Sequence, residues 1–146
     1  MKSFLLIATF AIGILSVNAQ DKKPDEVIKV NTEKLNFGTL KQNVPVTNYI
    51  VITNISNKPV VIENAWGSCG CTTPEIPKEP IAPKATAKLK VQYNAAALNH
   101  FEKDVYIKIA GIQQPKTVKV TGTVLDENAY NAYLKEKGTK KAKSGK

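Results

Sequence analysis

A chain of 146 residues with 42% apolar residues and a formal charge of +9 has room for one domain with an ordinary core, and is too apolar for a disordered polyelectrolyte. All 21 of its basic residues are lysines. Arginine, whose planar fork reads guanine edges and grips phosphate through two bonds, is absent, which counts against specific nucleic-acid recognition.

Lys2 gives a short positive start, and Phe4 to Val17 is an apolar run of signal-peptide length, short for a membrane span. Val17-Asn18-Ala19 places small residues at the −3 and −1 positions of a cleavage site. Residues 1–19 therefore read as a signal peptide, with the mature chain starting at Gln20 and carrying a side-chain charge of +8 from 20 lysines and 12 acids. No second apolar stretch of spanning length follows, and no cysteine near the cleavage point offers a lipid anchor. The expectation is an exported protein, periplasmic or secreted, with no transmembrane segment after cleavage.

Residues 20–26 are polar and read as a flexible leader. From 27 to 125 short apolar segments alternate with turn signals at the spacing of a β-sandwich. Val27 to Val30 and Leu35 to Leu40 come first. In Val46 to Thr53, Ile50 and Ile52 fall on one face, and Tyr49, Val51 and Thr53 on the other. After the turn Asn54 to Pro59, Val60-Val61-Ile62 leads to Ala65 and Trp66. Gly67 to Pro83 reads as mostly loop, because its four prolines deny it a helix or a central strand. Ala87, Leu89, Val91 and Tyr93 then alternate with lysines and a glutamine. Val105, Ile107 and Ile109 form the next strand, and Val118, Val120, Gly122 and Val124 the last. Clean alternation implies antiparallel sheets with one wet face. About seven strands in roughly 100 residues fit an immunoglobulin-like antiparallel sandwich, with a closed eight-stranded barrel as the competitor. In residues 126–146, Asp126 caps a short helix running through Asn131 to Lys135, too short to stand alone, before a lysine-rich tail. Lys135, Lys137, Lys140, Lys141, Lys143 and Lys146 face one acid, Glu136. Such a run is a solvated tail, or a weak contact to an anionic surface.

The unusual feature is Ser68-Cys69-Gly70-Cys71-Thr72, which holds both cysteines. In an extended segment their Cα atoms would lie roughly 6.5–7 Å apart, near the limit for a bridge, so a disulfide needs a bend, and Gly70 permits one. Four readings stay open: buried apolar thiols packed against Trp66, a local disulfide Cys69–Cys71, a soft-metal site for copper(I) or zinc, and redox exchange with a partner thiol. Two cysteines are half a tetrahedral zinc shell, and His100, the single histidine, completes three ligands only if the fold brings it near. His100 otherwise reads as a solvated loop residue in the turn 94–101. No serine–histidine–acid set, carboxylate pair, phosphate loop, calcium loop or HExxH helix is present, so no enzyme and no cofactor is expected. Asn54-Ile55-Ser56 formally matches a glycosylation acceptor.

Phe37-Gly38-Thr39-Leu40, Ile50-Val51-Ile52-Thr53-Asn54, Lys58-Pro59-Val60-Val61-Ile62, Ser68-Cys69-Gly70-Cys71-Thr72 and Ile81-Ala82-Pro83 together resemble domain-of-unknown-function family 1573, over about residues 33–125. This is a bacterial exported family, frequent in Bacteroidetes, similar in fold to Hydin-type and major-sperm-protein-like immunoglobulin domains. The resemblance implies the sandwich and an extracytoplasmic site, with no reaction or ligand attached. Lys84 departs from the pattern, since the family usually places glycine after Pro83. The function expected is a non-enzymatic binding or structural module of the periplasm or envelope, its partner an unknown protein or envelope component and not a nucleic acid. The contact region is the loop 66–77, with Trp66, Cys69, Gly70, Cys71 and Thr72 as candidate residues. The alternative is a thiol-redox or soft-metal protein acting through Cys69 and Cys71.

Overall fold

The computed structural model describes residues 22–143. The expected signal peptide, residues 1–19, and its cleavage point lie outside the described residues. Eight strands follow one another among them: β1 (Ile28–Val30), β2 (Lys34–Lys41), β3 (Val46–Asn54), β4 (Ile62–Gly67), β5 (Thr72–Glu75), β6 (Thr86–Tyr93), β7 (Asn99–Ile109) and β8 (Lys116–Leu125). They form two four-stranded sheets, ordered β1-β3-β6-β5 and β2-β8-β7-β4. The sandwich is as expected; three details are not. The strand beyond the expected seven is β5, inside the segment read as loop. Its Pro74 is tolerated because β5 is an edge strand, paired only with β6. Strand β2 runs parallel to β8, so the second sheet is mixed and not purely antiparallel. Alternation reports which face is wet and carries no information on strand direction. Strand β7 starts at Asn99, which puts His100 in a strand and not in the expected turn.

Ile50 and Ile52 of β3 and Leu89 and Val91 of β6 meet Val105, Ile107, Val118 and Val120 of the facing sheet, all fully buried. A smaller cluster closes one end: Leu40, Tyr93, Ala95, Phe101 and Val124, with the Tyr93 and Phe101 rings stacked 3.8 Å apart. Burial there pushes the Tyr93 hydroxyl above its ordinary pKa.

The expected leader is ordered where it is described. Pro24–Glu26 is a single 3-10 turn with Pro24 buried, and Asp25 and Glu33 both receive hydrogen bonds from Lys116 Nζ, at 2.6 and 2.8 Å. Burial of Lys116 acts to lower its pKa, but the bonds to the two carboxylates outweigh it and raise the pKa. The segment reads as free from its composition because its anchor lies some 90 residues away.

The turn after Pro83 resolves the family departure at Lys84. The Ala85 N–H donates to Ala82 O at 3.0 Å, Pro83 takes the second position, and Lys84 the third with φ +64°. That is a type II turn, whose third position favours glycine. Lys84→Gly is expected to raise stability by about 0.5 kcal/mol, since glycine escapes the left-handed cost. A lower thermal midpoint would show instead that the bond from Lys84 Nζ to Ile55 O, 2.7 Å, matters more.

At the C-terminus Asp126 caps the helix as expected, its Oδ1 accepting from the Ala129 N–H at 2.9 Å. The helix α1 (Glu127–Lys143) is longer than read and runs on into the lysine-rich segment. It is tied to β2 by the Lys41–Glu127 ion pair. Among the described residues no helix is long and apolar enough to cross a membrane.

Candidate functional site

Strand β4 fixes the site through a bulge. Ile62 pairs with Ile109 and Asn64 with Lys108, so Glu63 is an extra residue. Unbroken alternation from Ile62 would send Trp66 into the core. The bulge inverts the rhythm: Ala65 turns inward and Trp66 outward, 40% exposed. Opposite it on β7 stands Tyr106, and the two rings stack with centroids 5.5 Å apart. Trp66 therefore does not fill the core, and the expected reading of buried thiols packed against it does not hold.

From this aromatic pair a charged row continues along β7 and β8. Lys119 bridges Asp104 and Glu102, and Lys34 of β2 reaches Glu102 from the other side at 2.9 Å. Hydrogen bonds from Lys34 and Lys119 hold the Glu102 carboxyl down to about 2, from an ordinary 4.5. A carboxylate whose pKa is lowered on folding adds stability above its unfolded pKa, and that stability is lost as pH falls through the folded value. Glu102→Gln should therefore flatten the acid limb: parent and variant converge near pH 2 and separate above pH 4.5 in urea melts. Parallel curves over that window would refute the ion-pair account.

Beyond Gly67 the chain leaves one sheet for the other, and Ser68 to Cys71 make the crossing. Both ends of the turn are tied down. Ser68 N–H donates to Asp104 O at 2.8 Å, and Asp104 N–H donates to Ser68 Oγ at 3.0 Å. Thr72 N–H reaches Cys69 O at 3.3 Å, and Asn94 N–H reaches Cys71 O at 3.0 Å. The turn brings the two Cα atoms to 5.3 Å, and Cys69 and Cys71 are joined as a disulfide. Gly70 is not left-handed, and a Cβ built on it meets nothing within 4 Å, so the bend does not depend on glycine there. Cys71 packs against the end cluster, whereas both cysteines remain partly exposed. Thr72 begins β5, buried, with its hydroxyl 3.8 Å from Cys69 Sγ and 3.9 Å from Cys71 Sγ.

Of the residues singled out in the sequence, Cys69, Gly70, Cys71 and Thr72 lie together in this turn, while Trp66 lies on the outer sheet face against Tyr106. His100 is elsewhere, beside a shallow polar recess of about 230 Å³ with Asn36, Thr39, Thr121 and Thr123. It does not make a third ligand with the cysteines, and among the described residues no three of His, Cys, Asp and Glu are grouped to hold a metal ion. Asn54 is closed to modification: it is fully buried, and its amide nitrogen already donates to Lys58 O and Ile81 O. Sequence reasoning missed Tyr106, Glu102, Asp104 and Lys119. Their outward placement is legible from the alternation with Val105 and Ile107 on β7 and with Val118 and Val120 on β8, but their grouping depends on register.

The family model described as "Protein of unknown function (DUF1573)" matches residues 28–124, two thirds of the chain. The chain belongs to this family. No curated protein matches the chain. Among solved structures, this DUF1573 domain is similar to a protein of unknown function from Porphyromonas gingivalis W83, with 17% identity over 66% of this chain and a TM-score of 0.58. The chain spans just under half of that protein, 46%. It is also similar to a PapD-like domain of human CEP192, at 7% identity, with 85% of this chain and 99% of that one covered and a TM-score of 0.54. The SrpA adhesin of Streptococcus sanguinis matches at 8% identity over 71% of this chain and 58% of its own, with a TM-score of 0.50. At these identities the likeness is one of fold, an immunoglobulin-like sandwich.

Proposed function

We propose that the mature chain is an exported, non-enzymatic binding module of the bacterial periplasm or cell envelope, and that it holds a protein or envelope component on the surface around Trp66. The observation that carries this reading is the outward Trp66, stacked on Tyr106 on an edge strand. A large indole at 40% exposure adds little to the core, and aromatic residues set in a polar surround are the usual anchors of recognition surfaces. The adjoining Lys34, Glu102, Lys119 and Asp104 neutralise one another, leaving a surface suited to contact more than to proton transfer. Export is supported by the signal-peptide pattern of residues 1–19 and by the oxidised cysteine pair.

The test uses the mature chain, residues 20–146, immobilised and exposed to native envelope extract. The component retained by the parent should be bound about tenfold or more weakly by Trp66→Ala. The thermal midpoint should fall by only a few degrees, since the lost stack is worth about 1 kcal/mol. Equal retention by parent and variant would end this reading. Retention that instead disappears in high salt, and on deletion of residues 135–146, would place the contact on the lysine tail.

A further inference from the structure

We propose that Cys69 and Cys71 form a reversible dithiol–disulfide couple that exchanges with a dithiol of a second protein. This goes beyond the binding surface at Trp66 and shares with it only the reading of export.

Three observations converge. The bridge spans a single residue. Disulfides stabilise mainly by closing loops in the unfolded chain, and a three-residue loop lies at the small end of that effect, so stability is a poor account of the bond. The turn is held by four hydrogen bonds donated by the backbone N–H groups of Ser68, Asp104, Thr72 and Asn94, none of which involves a sulfur. The two thiols of the reduced form therefore stay close enough to pair again. Finally, Cys69 and Cys71 are both partly exposed at a tip where Gly70 faces open space, and the Thr72 hydroxyl lies within reach of both sulfurs. Exposed bridges are the exchangeable ones, and a hydroxyl donor stabilises a leaving thiolate.

The geometry sets the order of events. Cys71 is packed on the end cluster of Leu40, Tyr93 and Phe101, so Cys69 Sγ is the sulfur open to attack. A partner thiolate bonds to Cys69 Sγ. The Sγ–Sγ bond breaks, and its electron pair leaves on Cys71 Sγ, which accepts the Thr72 hydroxyl proton as a hydrogen bond and then takes a proton from water. The partner's second thiolate attacks its own sulfur in the mixed disulfide, closing the partner's bridge and expelling Cys69 as a thiolate. Two electrons pass from the partner dithiol to this chain, and no further reagent is consumed.

The test is made on the purified mature chain, so it does not depend on the Trp66 surface. The chain is equilibrated in mixtures of reduced and oxidised glutathione, quenched with an alkylating agent and weighed, with circular dichroism recorded in parallel. The pair should convert fully in both directions while the sandwich stays folded. The oxidised chain should oxidise a synthetic two-thiol peptide about tenfold faster than oxidised glutathione does at equal concentration. Thr72→Val should slow this about tenfold with the fold intact, the worth of one hydrogen bond to a thiolate. Cys71→Ser should form a mixed disulfide with glutathione faster than Cys69→Ser. A pair that stays oxidised throughout, a domain that unfolds on reduction, or a rate no better than that of oxidised glutathione would each overturn the couple. Equal rates for the two serine variants would overturn the assignment of Cys69 as the attacked sulfur.

Discussion

Asn54→Ala should lower the stability of the domain by about 3 kcal/mol, moving the thermal midpoint down by roughly 10–20 °C. Asn54 is fully buried at the end of β3, yet every polar atom it carries is used. Its amide nitrogen donates to Lys58 O at 2.7 Å and to Ile81 O at 2.8 Å. Its side-chain oxygen accepts from Ser56 N–H at 2.9 Å and from the Ser56 hydroxyl at 2.8 Å. Its backbone N–H donates to Ala85 O, and its carbonyl accepts from Lys84 N–H. One side chain thus ties the loop after β3 to the loop before β6, across the Val60–Ile81 bridge. Alanine would remove all four side-chain bonds at once: the Ser56 N–H and hydroxyl lose this acceptor, and the Ile81 and Lys58 carbonyls lose one donor each while keeping the Val60 N–H and the Ser56 hydroxyl, at about 0.5–1.5 kcal/mol for each bond lost. Asn54→Asp should be at least as damaging, because a carboxylate accepts but cannot donate to two carbonyls. Ser56→Ala should be the mildest of the three, since it removes only part of the knot. Urea melts of the three variants settle the order. A loss below about 1 kcal/mol for Asn54→Ala would mean that water replaces the amide and that the knot is not structural.

The second large effect separates two glycines three residues apart. Gly67→Ala should cost about 2–3 kcal/mol, whereas Gly70→Ala should be neutral or slightly stabilising. A Cβ on Gly67 would lie 2.5 Å from Thr72 O, 2.9 Å from Thr72 Cβ and 3.1 Å from Cys69 O. None of these atoms is the far end of a flexible chain. β4 and β5 would have to part, taking the Ser68–Asp104 bonds and the burial of Thr72 with them. Gly70 meets nothing and is not left-handed, so alanine there costs no space and reduces the freedom of the unfolded chain. The readouts are the thermal midpoint and the alkylation rate of the reduced thiols, which should rise in Gly67→Ala alone. Similar midpoints for the two variants would show that the strand crossing yields more easily than the contacts indicate. The glycine framed by cysteines draws the eye in the sequence. The one that matters to the turn sits inconspicuously at the end of a strand, and its signal is a close approach between two chain segments that no linear pattern records.

The sequence by itself determined what a period of two can carry. Ala87, Leu89, Val91 and Tyr93 turn inward on β6, and Val118, Val120 and Val124 on β8, as their alternation requires. That rhythm is a property of neighbouring residues along one chain, so it survives any arrangement of the strands. The prolines of residues 74–83, the cap at Asp126 and the bend that brings Cys69 to Cys71 are local in the same sense. Tertiary structure decided everything that belongs to pairs of strands. The extra residue at Glu63 exists only relative to β7, yet it turns Trp66 from core to surface and with it the reading of the site. β5 is a strand only because β6 offers it an edge, and β2 is parallel to β8 because of how the chain crosses between sheets. Asp25 is anchored by Lys116, and Asn54 is buried by loops that come together in space. Side-chain alternation is written residue by residue, whereas register, direction and burial of polar groups arise only where distant segments meet.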